Sequence, residues 1–131
     1  MKPELNNLML CVLKEEFSVC KLEDYSKVDL NRPFVFIGST DEERSLVCPT
    51  VMVPGNTVAR SDGWRAFRIE GILDFSLVGI LSSISGLLAG AGIGIFAVST
   101  FNTDYILIRA EDLGKALQVL EQAGYTIKQP G

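Results

Sequence analysis

The sequence contains no histidine, and its 12 Lys and Arg residues against 16 Asp and Glu residues give a net charge of −4. Histidine is the side chain most often used for proton transfer, and no P-loop, nucleophile–base pair or metal-ligand cluster replaces it. No stretch is rich in Lys or Arg, and binding to a nucleic-acid backbone depends on clustered cations. We therefore expect neither an enzyme nor a nucleic-acid-binding protein, and no cofactor.

Charge is also missing from the long segment between Asp74 and Asp104, and residues 75–98 are mostly apolar. This run exceeds the ~20 residues that a membrane-spanning helix needs. Three glycines nevertheless interrupt it, at positions 90, 92 and 94. The helical part, residues 77–89, would span only ~20 Å of a ~30 Å hydrocarbon core. The run therefore predicts a buried helix and a buried strand, and no membrane partner.

The chain has three cysteines, Cys11, Cys20 and Cys48, which is an odd number without metal-ligand spacing. Each lies among apolar neighbours, which favours a buried structural thiol. The N-terminal residues are polar and do not resemble a signal peptide. These features predict reduced thiols in a cytoplasmic protein.

A chain of 131 residues, 47% of them hydrophobic, forms one domain or two very small ones. In the first half, apolar runs predict strands at residues 8–13, 17–22, 34–37 and 45–48. We expect a charged turn at residues 14–16 between the first two strands. The Pro- and Gly-containing residues 51–63 predict a loop, and no long helical period occurs before residue 64.

The second half predicts a strand at residues 64–70, a helix at 77–89, strands at 93–99 and 104–109, a helix from 111 to 123 and a strand at 125–127. Ser76 is the expected N-cap of the first helix, and a hairpin at residues 100–103 joins the two middle strands. The order β-α-β-β-α-β is that of the ferredoxin-like α+β fold. It predicts an antiparallel four-stranded sheet with both helices on one face.

The first of these helices has no charged residue opposite its apolar stripe. The residues on that side are small: Gly79, Ser82, Ser83, Ser85, Gly86 and Ala89. Small side chains allow close backbone approach, so we interpret Gly79, Ser82, Ser83 and Gly86 as an interface with another module or subunit. A surface that simply carries little charge is the other interpretation.

The predicted topology brings residues 70–76 beside residues 99–104 at one end of the sheet. The polar residues gathered there are Asp74, Ser76, Ser99, Thr100, Asn102, Thr103 and Asp104. Backbone N–H groups at the helix start suit a carboxylate, and Asp74 and Asp104 suit an ammonium group. Both features together predict a site for a zwitterionic amino acid. Helix capping and ordinary turn chemistry account for the same residues equally well.

Two segments carry a family resemblance. Residues 70–81 contain Asp-Phe-Ser-Leu, and residues 92–109 contain Ile-Phe-Ala-Val-Ser-Thr followed by Thr-Asp-Tyr-Ile-Leu. Residues 63–128 thereby resemble the ACT domain, in the branch shared by aspartokinase regulatory regions and the animal cytosolic arginine sensors. Here Asp74-Phe75 stands where the commoner ACT pattern has Pro-Gly, so the resemblance does not identify the ligand.

The resemblance implies a non-catalytic regulatory protein that binds an amino acid near the first loop and the second strand of the domain. On that basis Phe75, Leu77, Ile95 and Phe96 join the expected ligand-binding residues. It further implies a homodimer or higher oligomer whose domains pair through sheet edges and first helices. Residues 1–62 would form a degenerate, strand-rich ACT-like unit and residues 63–131 the ACT domain. Any regulated enzyme would be a separate protein.

A ligand-free interaction module is the alternative function, because the same fold can act through dimerisation alone. The fold plan also occurs in RNA-binding domains, which need aromatic residues and cations on the sheet face. The strand at residues 93–99 has one aromatic residue, Phe96, and no cation. This argues against RNA as a partner.

Overall fold

The computed structural model describes residues 8–70 and 79–130, and these residues form seven strands and two α-helices. In chain order the elements are β1 (Met9–Leu22), β2 (Phe36–Ser39), β3 (Arg44–Pro49), β4 (Thr57–Ile69), α1 (Ile80–Gly90), β5 (Phe96–Ser99), β6 (Asp104–Arg109), α2 (Leu113–Gln122) and β7 (Thr126–Lys128). The chain divides into two compact units. One is Glu15–Trp64, and the other combines the residues up to Lys14 with those from Arg65 onward. The assignment of residues 1–62 as a degenerate ACT-like unit stays a prediction.

The unit that contains both helices has the predicted β-α-β-β-α-β order, from the second part of β4 through β7. Alternate strand residues, among them Phe67, Ile69, Ile106 and Ile108, form one core cluster with residues of α1 and α2. Because alternate strand residues point to the same face, both helices cover one face of the sheet. The predicted α+β, ferredoxin-like arrangement is confirmed.

The predicted sheet of four antiparallel strands is wrong in one respect. β7 pairs with β1 in parallel, with Leu10 opposite Ile127, and β1 is the neighbour of β4. The N-terminal strand therefore lies between the first and the last strand of the ferredoxin-like plan. Leu10 and Ile127 both contact the core cluster, which explains why the apolar start of β1 is drawn into this sheet.

Helix α1 follows the predicted apolar stripe, since Ile80, Ile84 and Leu88 are buried at a spacing of four residues. It begins after Gly79, whose φ of 89° favours glycine. Gly92, with φ of 76°, ends the helix, and the Ile93 N–H donates to the Leu88 carbonyl at 2.9 Å. The predicted N-cap and the first residues of the predicted helix lie outside the described residues.

The turn predicted at residues 14–16 is wrong, because β1 continues through Lys14, Glu15 and Glu16. These residue types provide none of the turn chemistry of Gly, Pro, Asn or Asp, and charged residues also occur at exposed strand positions. The loop predicted over residues 51–63 is likewise too long, since β4 begins at Thr57. Its Gly55-Asn56 part does form the turn, and Gly63 lies within β4 with φ of 82°.

In the unit Glu15–Trp64, β3 pairs antiparallel with both β1 and β2. Its core consists of Cys20, Leu22, Leu46 and Cys48, against which Tyr25, Val28, Val35, Met52 and Val53 pack. All three cysteines of the chain are buried and free, as predicted. Burial raises the pKa of Cys48 from 9.0 to about 11, which keeps this thiol protonated and unreactive near neutral pH.

Candidate ligand pocket

A cavity of about 320 Å³ opens between the end of β4 and the β5–β6 hairpin. Its size falls at the lower end of the range for small-molecule sites, about 300–1,000 Å³. The lining residues are Arg68, Ile69 and Glu70 on one side and Thr100, Asn102, Thr103 and Tyr105 on the other. The cavity therefore combines a cation, a carboxylate, an amide and hydroxyl groups.

The alternation of β4 places the two charged side chains that line the cavity on one face of the strand. Phe67 and Ile69 are fully buried in the core beneath the helices. Arg68 and Glu70 consequently project from the face that the helices do not cover, where they remain partly exposed. The same alternation in β6 buries Ile106 in the core and leaves Tyr105 on the side of Arg68.

Arg68 is held in place by its neighbours on this face. Its Nη1 donates to the Tyr105 hydroxyl at 3.2 Å, and its guanidinium lies 5.9 Å from the centre of the Tyr105 ring. Its Nε lies 3.9 Å from Oε2 of Glu70. The hydrogen bond with Tyr105, together with the charge of Glu70, raises the pKa of Arg68, so its positive charge is permanent. The residue thus offers a pre-positioned cation to an anionic group.

Hydrogen bonds also fix the hairpin that forms the opposite wall. The Thr100 N–H donates to the Thr103 carbonyl at 2.8 Å, and the Thr100 hydroxyl donates to the same carbonyl at 2.9 Å. The buried Thr103 hydroxyl donates to the Ile69 carbonyl at 2.7 Å, which ties the hairpin to the end of β4. Both walls of the cavity are therefore joined by a buried hydrogen bond.

Residues 59–122 match the family model of the ACT domain. These residues, about half of the chain, form a domain of the ACT family. The match includes all of α1, β5 and β6 and each of the seven described residues that line the cavity.

Among curated relatives, the cytosolic arginine sensor for mTORC1 subunit 1 of Homo sapiens and that of Bos taurus are each 37% identical over 67 residues. The aligned part is 50% of this chain, and the chain spans about a fifth of the length of either relative. The likeness thus concerns half of this chain, and it does not extend to the sensors as whole proteins.

Solved structures share the fold over nearly the whole chain. A protein of Agrobacterium tumefaciens is 32% identical with a TM-score of 0.82, covering 95% of both chains. A protein of unknown function from Vibrio cholerae is 17% identical with a TM-score of 0.72, covering 92% of both chains. The aspartate kinase of Clostridium acetobutylicum, 17% identical with a TM-score of 0.62, matches over 85% of this chain and 33% of its own. The last two likenesses show the fold alone.

The predicted site residues of the ACT unit fall into four groups. Thr100 and Asn102 line the cavity. Ser99 and Asp104 lie beside the cavity and are hydrogen-bonded to each other. The Ser99 hydroxyl donates to Asp104 Oδ1 at 2.6 Å. Ile95 packs against the core and Phe96 is half-buried opposite Leu107 in the β5–β6 pair. Asp74, Phe75, Ser76 and Leu77 lie outside the described residues. The ligand-binding role of all of them stays a prediction.

Sequence reasoning missed Arg68, Glu70 and Tyr105 as candidate site residues. The sequence Phe67-Arg68-Ile69-Glu70 does carry a signal, because charged residues alternate with apolar ones and must share one face. The missing information was that this face of β4 meets the hairpin, which depends on pairing between distant strands.

The predicted interface residues lie on or at the start of α1 and are uncharged. Ser82 and Gly86 are exposed, and the space where a Gly86 side chain would lie is open. Ser83 is half-buried, and its Oγ lies 3.2 Å from the Tyr125 hydroxyl. Gly79 precedes the first helical residue. The structure thus presents Ser82 and Gly86 outward, and the interface itself stays a prediction.

Within residues 8–70 and 79–130, His, Cys, Asp and Glu side chains form no group that could hold a metal ion. In the same residues, neither helix has the length and apolar character needed to cross a bilayer.

Proposed function

We propose that this ACT protein is a non-catalytic regulator that binds an amino acid in the cavity between β4 and the β5–β6 hairpin. The observation that carries the proposal is the pairing of Arg68 and Glu70 in one cavity with Asn102. Arg68 would bind the carboxylate of the ligand, and Glu70 would bind its ammonium group. The side-chain amide of Asn102 can donate a hydrogen bond to the ligand carboxylate or accept one from the ligand ammonium group.

Two further observations support an amino acid as the ligand. The curated relatives that match half of this chain are named cytosolic arginine sensors. In this chain, the opposite charges of Arg68 and Glu70 lie 3.9 Å apart, which matches the close spacing of ammonium and carboxylate in a free amino acid. The sequence also lacks histidine, which fits a regulator better than an enzyme. We further propose that the protein is cytoplasmic.

Thermal unfolding of the whole chain with each of the twenty amino acids tests the proposal. One or more should raise the midpoint, and a ligand at ~100 times its dissociation constant adds ~2.7 kcal/mol of stability. The N-acetyl and carboxamide derivatives of that amino acid should lose the effect, since each removes one of the two charges. The proposal fails if no amino acid at 10 mM shifts the midpoint, or if both derivatives act as well as the parent.

The charge-free outer side of α1 supports a second candidate, a module that acts through dimerisation without a ligand. Ser82 and Gly86 are exposed there, and helix α1 carries no charged residue. A partner's helix could approach closely along such a surface.

Replacing Gly86 with arginine tests the α1 interface. The new side chain has open space in this chain, so the fold should be retained. Against a partner helix it would introduce bulk and charge, and the molar mass measured by light scattering should therefore fall. Lys115→Arg on the exposed side of α2 is the control and should leave the mass unchanged. An unchanged mass for Gly86→Arg would exclude this interface.

A further inference from the structure

The hydroxyl groups that line the cavity already have hydrogen bonds within the chain. The Thr100 hydroxyl donates to the Thr103 carbonyl at 2.9 Å and accepts from the Thr103 N–H at 3.3 Å. The Thr103 hydroxyl donates to the Ile69 carbonyl at 2.7 Å. The Tyr105 hydroxyl accepts from Arg68 at 3.2 Å. A ligand would therefore meet these three hydroxyl groups as parts of a fixed wall.

Asn102 differs from the other polar residues of this wall. It lines the cavity and is exposed, and its side-chain amide makes no hydrogen bond to any residue in the part of the chain that the structure describes. A carboxamide carries an oxygen that accepts and a nitrogen that donates, side by side in one plane. Removing solvent from this group costs affinity unless the ligand replaces both kinds of hydrogen bond. Asn102 therefore favours a ligand group that can both donate and accept.

The two charges in the cavity restrict the side chain of the ligand further. When Arg68 holds the ligand carboxylate and Glu70 holds its ammonium group, Glu70 repels a second carboxylate and Arg68 repels a second cation. Among the described residues that line the cavity, only Ile69 has a purely aliphatic side chain, and it is completely buried in the core beneath the helices. A large apolar side chain would therefore find little apolar surface. A neutral polar side chain meets these conditions.

We propose that the cavity selects an amino acid with a carboxamide side chain, asparagine or glutamine, through a pair of hydrogen bonds with Asn102. The ligand carboxamide donates to the side-chain oxygen of Asn102 and accepts from its nitrogen. A hydroxyl group donates and accepts through one oxygen atom, so it cannot form both bonds of this pair with good geometry. This inference rests on the proposed function and concerns only the side chain of the ligand.

Isothermal titration calorimetry of the whole chain with asparagine, glutamine and matched analogues tests this selection. Aspartate and glutamate replace the carboxamide by a carboxylate of the same shape, and leucine and methionine replace it by apolar groups of similar size. At least one carboxamide ligand should bind roughly 10-fold more tightly than its analogues, which is about the factor that two ordinary hydrogen bonds contribute. An analogue that binds as tightly as both carboxamides would overturn the selection and leave amino-acid binding intact. If no amino acid binds, the proposed function fails and this proposal fails with it.

Asn102→Asp tests whether Asn102 makes the selecting contact. The two side chains have the same shape, and the exposed Asn102 amide has no partner among the described residues, so the variant should fold. A carboxylate only accepts hydrogen bonds, so the affinity for the carboxamide ligand should fall roughly 10-fold. Lysine should bind the variant more tightly than it binds the parent chain, because the new carboxylate attracts its side-chain ammonium group.

Asn31→Asp is the matched control, because it makes the same substitution at an exposed asparagine of the unit Glu15–Trp64. Its affinities for the carboxamide ligand and for lysine should equal those of the parent chain. Circular dichroism of both variants checks that the fold is retained. A folded Asn102→Asp chain that binds the carboxamide ligand as tightly as the Asn31→Asp chain would overturn the proposal.

Discussion

Replacing Ile84 with alanine is expected to lower the free energy of unfolding by about 2–5 kcal/mol. Ile84 lies at the centre of α1 and is completely buried in the core between the helices and the sheet. Alanine would remove three carbon atoms from this core and leave a cavity that the rigid strands beneath cannot close. Typical domains are stable by only 5–15 kcal/mol, so the loss is a large share of the total.

Urea denaturation of the whole chain, followed by circular dichroism, measures this change. Ser82→Ala on the same helix is the control, because Ser82 is exposed and alanine is a good helix former. That variant should differ from the parent by no more than ~0.5 kcal/mol. If Ile84→Ala were as stable as Ser82→Ala, the placement of the α1 stripe in the core would be wrong.

Replacing Arg68 with methionine is expected to weaken binding of the amino acid found in the thermal screen by roughly 10- to 100-fold. Hydrogen bonds to charged groups typically contribute about 1.5–3 kcal/mol, which corresponds to this range. Methionine keeps much of the length of the side chain while it removes the guanidinium that would bind the ligand carboxylate. It also leaves Glu70 without its nearby cation.

Isothermal titration calorimetry of the folded variant gives the dissociation constant directly. Lys115→Met is the control, since it removes a cation from the exposed side of α2 by the same substitution. Its affinity should match that of the parent chain. If Arg68→Met and Lys115→Met bound the amino acid with equal affinity, the ligand would have to bind outside this cavity. The proposal that the protein binds an amino acid would still hold.

Local patterns predicted the helical unit well. The apolar stripe of α1 identified Ile80, Ile84 and Leu88 as core residues, and the predicted strand at residues 104–109 has the observed bounds of β6. These features depend on residues close together in sequence, where periodicity and the turn residues at 100–103 suffice. The confirmed β-α-β-β-α-β order follows from them.

Pairing between distant segments was the part that sequence alone did not predict. Nothing in the apolar run of residues 8–13 indicates that Leu10 pairs with Ile127 rather than within its own half of the chain. The cavity depends on the same kind of information, because Arg68 and Asn102 meet only through the pairing order of the strands. The alternation within a strand shows on which face of the sheet each side chain lies. It does not show which other strand will pair with it.

The position of β1 between β7 and β4 makes the helical unit discontinuous in sequence. The Glu70 N–H donates to the Met9 carbonyl at 2.8 Å, and Nη2 of Arg65 donates to the Leu13 carbonyl at 2.9 Å, so residues 9–13 and 65–70 run side by side. In topological terms Glu15–Trp64 is a domain insertion within a β-hairpin. A fragment that begins at residue 63 would lack β1, which is an interior strand of its sheet. A chain in which a short turn joins residue 14 to residue 65 would keep every strand of that sheet.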